Sequence, residues 1–241
     1  RHDHRGRSIF YRIEGEGPPL VAIHGFPSAS WDWYPIWRRL VARFRVVAPD
    51  LIGFGWSEKP RHYDYSIRDQ ASLVEGLLGE LGIDRVHVLA HDYGASVAQE
   101  LLARDDERAG SPSRGLALQS VCFLNGGLFP VAHRALPIQK LLASRVGGLV
   151  APFISRGGFA RSLRHIFGRS TPPSRELVDE LWTLLEHDHG RRVVPKLLGY
   201  IEERRAQRAR WVGVLAKTRV PLVFVNGGAD PVSGAHMVER Y

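Results

Sequence analysis

Residues 86–94 read Val-His-Val-Leu-Ala-His-Asp-Tyr-Gly, a short apolar run followed by a polar turn. Ala90 and Gly94 stand two positions on either side of Asp92, which is the spacing of a nucleophile elbow between a strand and a helix. Small residues are needed there because the backbone passes close to its neighbours. A carboxylate at the centre of the elbow can attack an electrophilic carbon and form an ester on itself. The alternative is that Asp92 only caps the following helix, a role that suits Asp.

Composition favours one domain with an insertion. The chain has 241 residues, of which 44% are hydrophobic, enough for a full core. The single cysteine, Cys122, excludes an internal disulfide and lies in an apolar run, where we expect a buried and inert thiol. No apolar stretch is long enough to cross a bilayer and no secretory signal opens the chain, so we expect a cytoplasmic protein.

The charge balance is strongly basic, with a net charge of +8. Residues 202–210 form a run rich in Arg, with four Arg and two Glu. Because neither interleaved aromatic residues nor a nucleic-acid motif accompany the charge, we interpret the run as a solvated helix face and expect no nucleic-acid partner. Association with a membrane surface is left open, since the sequence does not show it.

The alternation of apolar patterns predicts an α/β fold with a mostly parallel sheet flanked by helices. Strands are expected over residues 8–14, 20–23, 45–48, 86–90, 116–124 and 220–226, and helices over 31–44, 66–82 and 95–104. The stretch 126–215 breaks this alternation with helical segments and Gly-rich or Pro-rich turns. We therefore predict a core formed by 1–125 and 216–241, and a helical cap insertion over 126–215.

Two further motifs follow predicted strands. His24-Gly25-Phe26-Pro27 is a glycine turn that can offer the Phe26 N–H to an anion at the elbow, while His24 at the strand end suits a structural role. Asp230 lies in a loop just beyond the strand predicted over 220–226, where an acid can orient a catalytic histidine. An Asx-type turn at Asp230-Pro231 is the alternative for that residue.

These motifs, together with the Gly-rich loop of residues 50–57, resemble the α/β-hydrolase fold. With an Asp at the elbow, the sequence resembles the branch that contains epoxide hydrolases and haloalkane dehalogenases. It resembles most of all the hydrolases related to mesoderm-specific transcript protein. The resemblance continues through residues 97–102, 125–130, 200–201 and 210–213. It implies Asp92 as nucleophile, Asp230 as acid, Phe26 and Tyr93 as oxyanion-hole donors and Tyr200 as a cap proton donor. Near the site it implies structural roles for five residues: His24, Gly25, Pro27, His91 and Gly94.

The resemblance also implies a two-step reaction on a small hydrophobic epoxide or halocarbon, with no cofactor and no metal. Tyr93 and Phe26 stand where dehalogenases often have a Trp and an Asn for the halide. We therefore rank epoxide hydrolysis above dehalogenation, although Tyr93 also replaces the Trp frequent in epoxide hydrolases. Tyr200 as a residue packed between cap and core remains an equal alternative to a proton donor.

The histidine that the family uses as base follows the Asp230 loop after another helix and strand, whereas this sequence stops at Tyr241. We expect the chain to be a fragment of a competent hydrolase that lacks this C-terminal strand and helix. The alternative is a catalytically inactive module that binds a small molecule or a partner. His236 is a poor candidate for the base. We expect the three histidines of the predicted cap to be polar cap residues rather than metal ligands: His165, His187 and His189.

Overall fold

The computed structural model describes residues 1–109, 115–132 and 136–241. A six-stranded sheet runs in the order β3-β5-β4-β6-β7-β8, with β3 antiparallel to β5 and all other pairs parallel. This confirms the predicted mostly parallel sheet. The strands are β1 His2–His4, β2 Arg7–Ile9, β3 Tyr11–Glu14, β4 Pro19–Ile23, β5 Arg45–Pro49, β6 Arg85–His91, β7 Ala117–Leu124 and β8 Leu222–Val225.

Helices cover the sheet and fill the long connection between β7 and β8. The α-helices are α1 Trp37–Val41, α2 Ile67–Glu80, α3 Tyr93–Arg108, α4 Pro137–Leu142, α5 Gly147–Val150, α6 Arg156–Ile166, α7 Arg175–Glu186, α8 Val194–Leu197, α9 Tyr200–Ala206, α10 Arg208–Lys217 and α11 Ala235–Val238. Three 3-10 helices cover Ser30–Ile36, Ala151–Phe153 and His187–Val193. Within the described residues, no helix combines the length and hydropathy that a membrane span requires.

The helix predicted over 31–44 is wrong in form. The chain makes a 3-10 helix over Ser30–Ile36 and only then the short helix α1. Pro35 lies inside the first of these and has no N–H, so a continuous α-helix would lose a hydrogen bond there. The apolar spacing still fulfils its purpose, because Trp33 and Trp37 are buried against β4 and β5.

The strand predicted over 8–14 is interrupted at Phe10. Its N–H donates to Ser57 Oγ at 2.8 Å, and its carbonyl accepts the N–H of Asp50 at 2.9 Å. These bonds to the loop after β5 divide the segment into β2, which pairs with β1, and β3, which joins the main sheet. The small β1–β2 sheet has no counterpart in the sequence prediction, because its strands have three residues each.

The end of the insertion packs tightly on the core. Helix α10 lies against α3, and Trp211 Nε1 donates to Glu100 Oε2 at 2.7 Å. Arg210 bonds to both Glu100 and Glu107 of α3. These contacts anchor the last helix before β8 to the helix that begins at the elbow. The domain boundary at 215 stays a prediction.

Candidate active site

The elbow at Asp92 is a strained turn between β6 and α3. Asp92 has φ 45° and ψ −104°, a conformation that is unfavourable for any residue with a Cβ atom. Neighbouring strands hold it there, since Asp92 N–H donates to Leu124 O at 3.2 Å and Gly94 N–H donates to His24 O at 3.1 Å. A Cβ on Gly94 would lie 2.4 Å from Ile23 O, so the turn requires glycine at this position.

The Asp92 carboxylate lines a cavity of about 970 Å³. Its Oδ2 accepts the Phe26 N–H at 3.1 Å, so the first turn after β4 and the elbow meet as the motifs predict. Apolar side chains from the cap helices and their connections supply much of the remaining wall, including Leu142, Val150, Phe159, Leu163, Leu185 and Leu198. The arrangement places one carboxylate, with a backbone donor on it, in an apolar chamber of ligand size.

Opposing influences set the ionisation of Asp92. Burial raises its pKa, and the negative charge of Asp230 adds to this effect. The positive charges of His91 and Arg204 and the hydrogen bond from Phe26 N–H act in the opposite direction. Because the carboxylate must be charged to attack a carbon atom, the two cations are part of the chemistry that this site can perform.

His91 is held by a carboxylate that sequence reasoning missed. Asp32 Oδ2 lies 3.0 Å from His91 Nδ1 and also accepts the Gly25 N–H at 3.0 Å. Burial disfavours the imidazolium, but the hydrogen bond and charge of Asp32, with the charges of Asp92 and Asp230, raise the pKa of His91 to about 9. His91 lines the cavity as a cation beside the candidate nucleophile. Asp32 therefore ties the residue before Phe26 to the residue before Asp92.

His24 has both ring nitrogens engaged away from the cavity. Its Nε2 accepts the Leu51 N–H at 3.0 Å, and its Nδ1 lies 2.7 Å from the Gly25 carbonyl oxygen, to which it donates. Burial lowers the pKa of His24, which agrees with the neutral ring that this bonding pattern requires. These bonds place His24 as a support for the loops on either side of the site. Pro27, two residues beyond Gly25, lines the cavity.

Asp230 lines the same cavity as Asp92. Its Oδ2 accepts from Asn125 Nδ2 at 2.7 Å, and its Oδ1 accepts the Val232 N–H at 2.8 Å. The second bond is the Asx-type turn that the sequence left as an alternative, and the carboxylate faces the cavity as well. No histidine of the described residues bonds to Asp230. Its role as the acid of a catalytic dyad stays a prediction.

Tyr93 and Tyr200 form an aromatic cluster behind the elbow. The ring centroids of Tyr93 and Tyr200 are 5.0 Å apart, and those of Phe26 and Tyr200 are 6.4 Å apart. Burial raises the pKa of Tyr200 far above its ordinary value, and the nearby Asp92 charge raises it further, so the phenol stays protonated. Tyr93 is the first residue of α3, and the N–H groups of a first turn have no partner within the helix.

Arg204 contradicts the interpretation of 202–210 as a solvated helix face. The side chain is only 2% exposed, and its guanidinium carbon lies 5.1 Å from the centroid of the Tyr200 ring. Nη2 donates to Gly127 O, whereas Nε and Nη1 are buried without a partner among the described residues. A Cβ on Gly127 would lie 1.9 Å from Nη2, so glycine makes room for the cation. The spacing of Tyr200 and Arg204, one helical turn apart, was the available signal.

The other candidate histidines, which are His165, His187, His189 and His236, do not line the cavity of Asp92. His236 is in α11 and its Nε2 is 3.2 Å from Val232 O, while the His187 ring packs edge-on against Trp56. Asp188, between His187 and His189, accepts the backbone N–H of Lys59 at 3.1 Å. Across 1–109, 115–132 and 136–241, no cluster of three or more His, Cys, Asp or Glu side chains could hold a metal ion. Independence from metals and cofactors stays a prediction.

Comparison with known proteins places this geometry in a family. Residues 18–122 match the family model for the α/β hydrolase fold. The chain is 43% identical to mesoderm-specific transcript protein of Mus musculus over 241 residues, which covers 95% of this chain and 70% of the relative. The chain belongs to the α/β-hydrolase family. This confirms the predicted fold and the similarity to that group of hydrolases.

Solved structures of other α/β hydrolases have the same architecture. The epoxide hydrolase CorEH superposes with a TM-score of 0.67 at 25% identity, covering 91% of this chain and 78% of that one. The haloalkane dehalogenase DatA of Agrobacterium tumefaciens C58 superposes with a TM-score of 0.74 at 22% identity, covering 92% of this chain and 76% of DatA. Both sides of the predicted branch are therefore among the structural neighbours of this α/β hydrolase.

Proposed function

We propose that this α/β hydrolase opens an epoxide through an ester formed on Asp92. The observation that carries the proposal is the strained elbow, which holds the Asp92 carboxylate in an apolar cavity with the Phe26 N–H on one oxygen. Backbone strain of this kind persists only where surrounding structure enforces it, and it is concentrated at functional sites. A carboxylate that merely capped α3 would bond to the first turn of that helix, and Asp92 makes no such side-chain bond.

In the first step an Asp92 oxygen attacks a ring carbon of the epoxide. The new C–O bond forms as the ring C–O bond breaks, and its electron pair stays on the leaving oxygen as an alkoxide. That alkoxide takes a proton, for which we propose the phenol of Tyr200. The Tyr200 ring packs beside Phe26 and Tyr93 behind the elbow, is buried and does not line the cavity, and its raised pKa keeps it protonated. The transfer therefore requires the phenol to turn towards the cavity.

In the second step water adds to the carbonyl carbon of the Asp92 ester. The Phe26 and Tyr93 N–H groups stabilise the resulting oxyanion, and removal of one such donor typically raises a barrier by about 3 kcal/mol. The intermediate then collapses: one proton of the water goes to the departing oxygen of the diol, the other restores the Tyr200 phenol, and Asp92 is left as a carboxylate. The family resemblance assigns activation of the water to a histidine oriented by Asp230.

We retain a cytoplasmic location and independence from cofactors as predictions for the protein.

Epoxide chemistry ranks above dehalogenation because of the donors near Asp92. None of the described residues lining the cavity is a Trp, so an indole N–H does not face the position of a departing halide. Tyr200 does not line the cavity either, but its ring lies beside Phe26 and Tyr93 at the elbow, and a phenol can supply the proton that an alkoxide needs and a halide does not.

Intact-mass spectrometry with styrene oxide tests the proposal. We expect one covalent adduct on the wild-type protein, or its transient formation during turnover. The Asp92→Asn variant should form none, because an amide is a poor nucleophile. The matched Asp230→Asn variant keeps the nucleophile, so its adduct should form and persist. An equal adduct on wild type and Asp92→Asn would refute the assignment.

A substrate panel separates the alternatives. Epoxides, chloroalkanes and carboxylic esters are compared on the wild-type protein by kcat/KM and by adduct formation. Faster reaction with chloroalkanes than with epoxides would favour the dehalogenase alternative. Binding of the compounds in the cavity, measured by calorimetry, without an adduct or turnover would favour the inactive binding module.

A further inference from the structure

One segment of the cap has a one-sided charge. Between Leu136 and Ser174 the chain has six Lys or Arg residues and no Asp or Glu. Lys140 and Arg145 are exposed and form no ion pair with a described residue. Elsewhere the pattern differs, since Arg104, Arg108 and Arg210 each bond to glutamates. Arg156 of the segment pairs with Asp179 of α7, so the positive charge without a partner among the described residues lies on the other basic residues, including Lys140 and Arg145.

The same segment exposes large apolar side chains. Leu149 is 74% exposed and Phe153 is 84% exposed. Three others in α4 and in the turn before α5 are also exposed: Ile138, Leu141 and Val146. Five large apolar side chains exposed within 16 residues of a folded protein indicate an interaction site.

The exposure is built into the fold. Leu142, Gly147 and Ala151 turn inward and are buried, so α4, α5 and the following 3-10 helix form one amphipathic unit. Arg191 Nη1 donates at 2.8 Å to the carbonyl oxygens of Pro152 and of Ile154, the two neighbours of Phe153. These bonds fix the backbone on both sides of the most exposed aromatic ring in this segment.

The apolar surface is continuous with the cavity of Asp92. Ile138 and Phe153 are exposed and also line that cavity, as do the buried Leu142 and the half-buried Val150. An apolar molecule on this surface thus meets an apolar path towards the carboxylate. We call this surface the cap face, defined by Ile138, Leu141, Val146, Leu149 and Phe153 with the adjacent Lys140 and Arg145.

We propose that the cap face docks on an anionic lipid membrane, so that an apolar substrate can pass from the bilayer into the cavity. Exposed apolar side chains enter the interfacial region of a bilayer, while adjacent Lys and Arg residues bind anionic headgroups. Charge complementarity favours this partner, because the segment offers cations without intervening carboxylates. The proposal goes beyond the reaction at Asp92, since docking requires no chemistry there.

Vesicle flotation tests the docking directly. Wild-type protein should float with vesicles of phosphatidylcholine mixed with phosphatidylglycerol, and much less with phosphatidylcholine alone. Binding should weaken in molar salt, because the attraction between the basic side chains and the anionic headgroups is then screened beyond about 3 Å. The Asp92→Asn variant should float like wild type, so failure of the epoxide proposal would leave this result unaffected.

Two double variants separate the contributions. Lys140→Glu/Arg145→Glu should weaken binding by at least about 25-fold, since one basic residue near an anionic surface contributes about fivefold. The control Arg38→Glu/Arg39→Glu changes the same charge on exposed residues of α1 and should retain more of the affinity. Leu149→Ser/Phe153→Ser should remove the binding that survives in high salt. Its control is Val223→Thr/Val225→Thr on β8, where both valines are about half exposed: 53% and 54%.

Several results would overturn the proposal. They are no flotation of the wild-type protein, equal flotation with neutral and anionic vesicles, or equal weakening by the α1 and the cap-face charge variants. A second copy of the chain is the competing occupant. Analytical ultracentrifugation would reveal it as a dimer that Leu149→Ser/Phe153→Ser dissociates, with vesicle binding unchanged.

Discussion

Asp32→Asn should destabilise the protein in a pH-dependent manner. Asp32 accepts hydrogen bonds from Gly25 N–H and His91 Nδ1, and it is the main cause of the raised His91 pKa. A rise from the ordinary value of 6.5 to about 9 corresponds to about 3 kcal/mol between the protonation states of a fully buried group. Because 39% of the His91 side chain is exposed, solvent screening reduces this, and we expect about 1.5 kcal/mol.

The direction of this pH dependence follows from the linkage between protonation and folding. A group whose pKa is higher in the folded state contributes its full stabilisation below its unfolded pKa and loses it as the pH rises through its folded pKa. The His91 contribution should therefore be complete below pH 6.5 and lost by the time the pH passes 9. The difference in unfolding free energy between wild type and Asp32→Asn should be about 2 kcal/mol at low pH and under about 1 kcal/mol at high pH, where only the bonds from Gly25 N–H and from the neutral His91 ring are weakened.

Urea unfolding of both proteins from mildly acid to alkaline pH measures this difference. His91→Gln is the control, because it removes the titrating ring and keeps the carboxylate. In the double variant the pH-dependent part should not add to that of the single variants, as expected for directly coupled residues. A gap between wild type and Asp32→Asn that stays constant with pH would refute the ion pair as the source of this stability.

Two further substitutions test the turn and the buried cation. Gly94→Ala should destabilise by more than about 3 kcal/mol, because its Cβ would lie 2.4 Å from Ile23 O; chemical unfolding measures this, and an effect like that of the control Gly213→Ala, where a Cβ meets no atom within 4 Å, would contradict it. Arg204→Met should move the acid limb of the epoxide alkylation rate to higher pH, since the Arg204 charge lowers the pKa of Asp92. A pH–rate profile with an unmoved acid limb would show that Arg204 has only a structural role.

The parts of the site that were predictable from sequence are those fixed by local spacing. The elbow needs small residues at 90 and 94 because of close backbone approaches, and that requirement is visible within five residues. The two turns that contribute Phe26 and Asp230 follow apolar strands, and parallel strands bring their carboxyl ends to one edge of a sheet. The local sequence patterns and the rule for parallel strands were therefore enough to predict that Asp92, Phe26 and Asp230 lie at one cavity.

The charges that tune the site were not predictable. Asp32 and His91 are 59 positions apart, and Asp32 lies in a segment whose helical pattern was itself misjudged. Arg204 belongs to a run in which most charged neighbours are exposed, and only its contacts with Tyr200 and Gly127 distinguish it. Periodicity indicates which face of a helix is apolar and predicts that charged residues lie on the other, exposed face. A buried cation at a functional site is an exception to this rule, and periodicity cannot identify it.

The two cations also suit both halves of the proposed reaction. Before attack, burial raises the pKa of Asp92 on balance, and His91 and Arg204 counteract part of this effect and so favour the charged carboxylate that the attack requires. Once Asp92 is esterified its negative charge is gone, and the same cations face a neutral carbonyl. Addition of water then creates a new oxyanion at nearly the same place, which fixed positive charges stabilise without reorganisation. An arrangement that only stabilised the folded protein would have no need to keep Arg204 with two unpartnered nitrogen atoms behind the elbow.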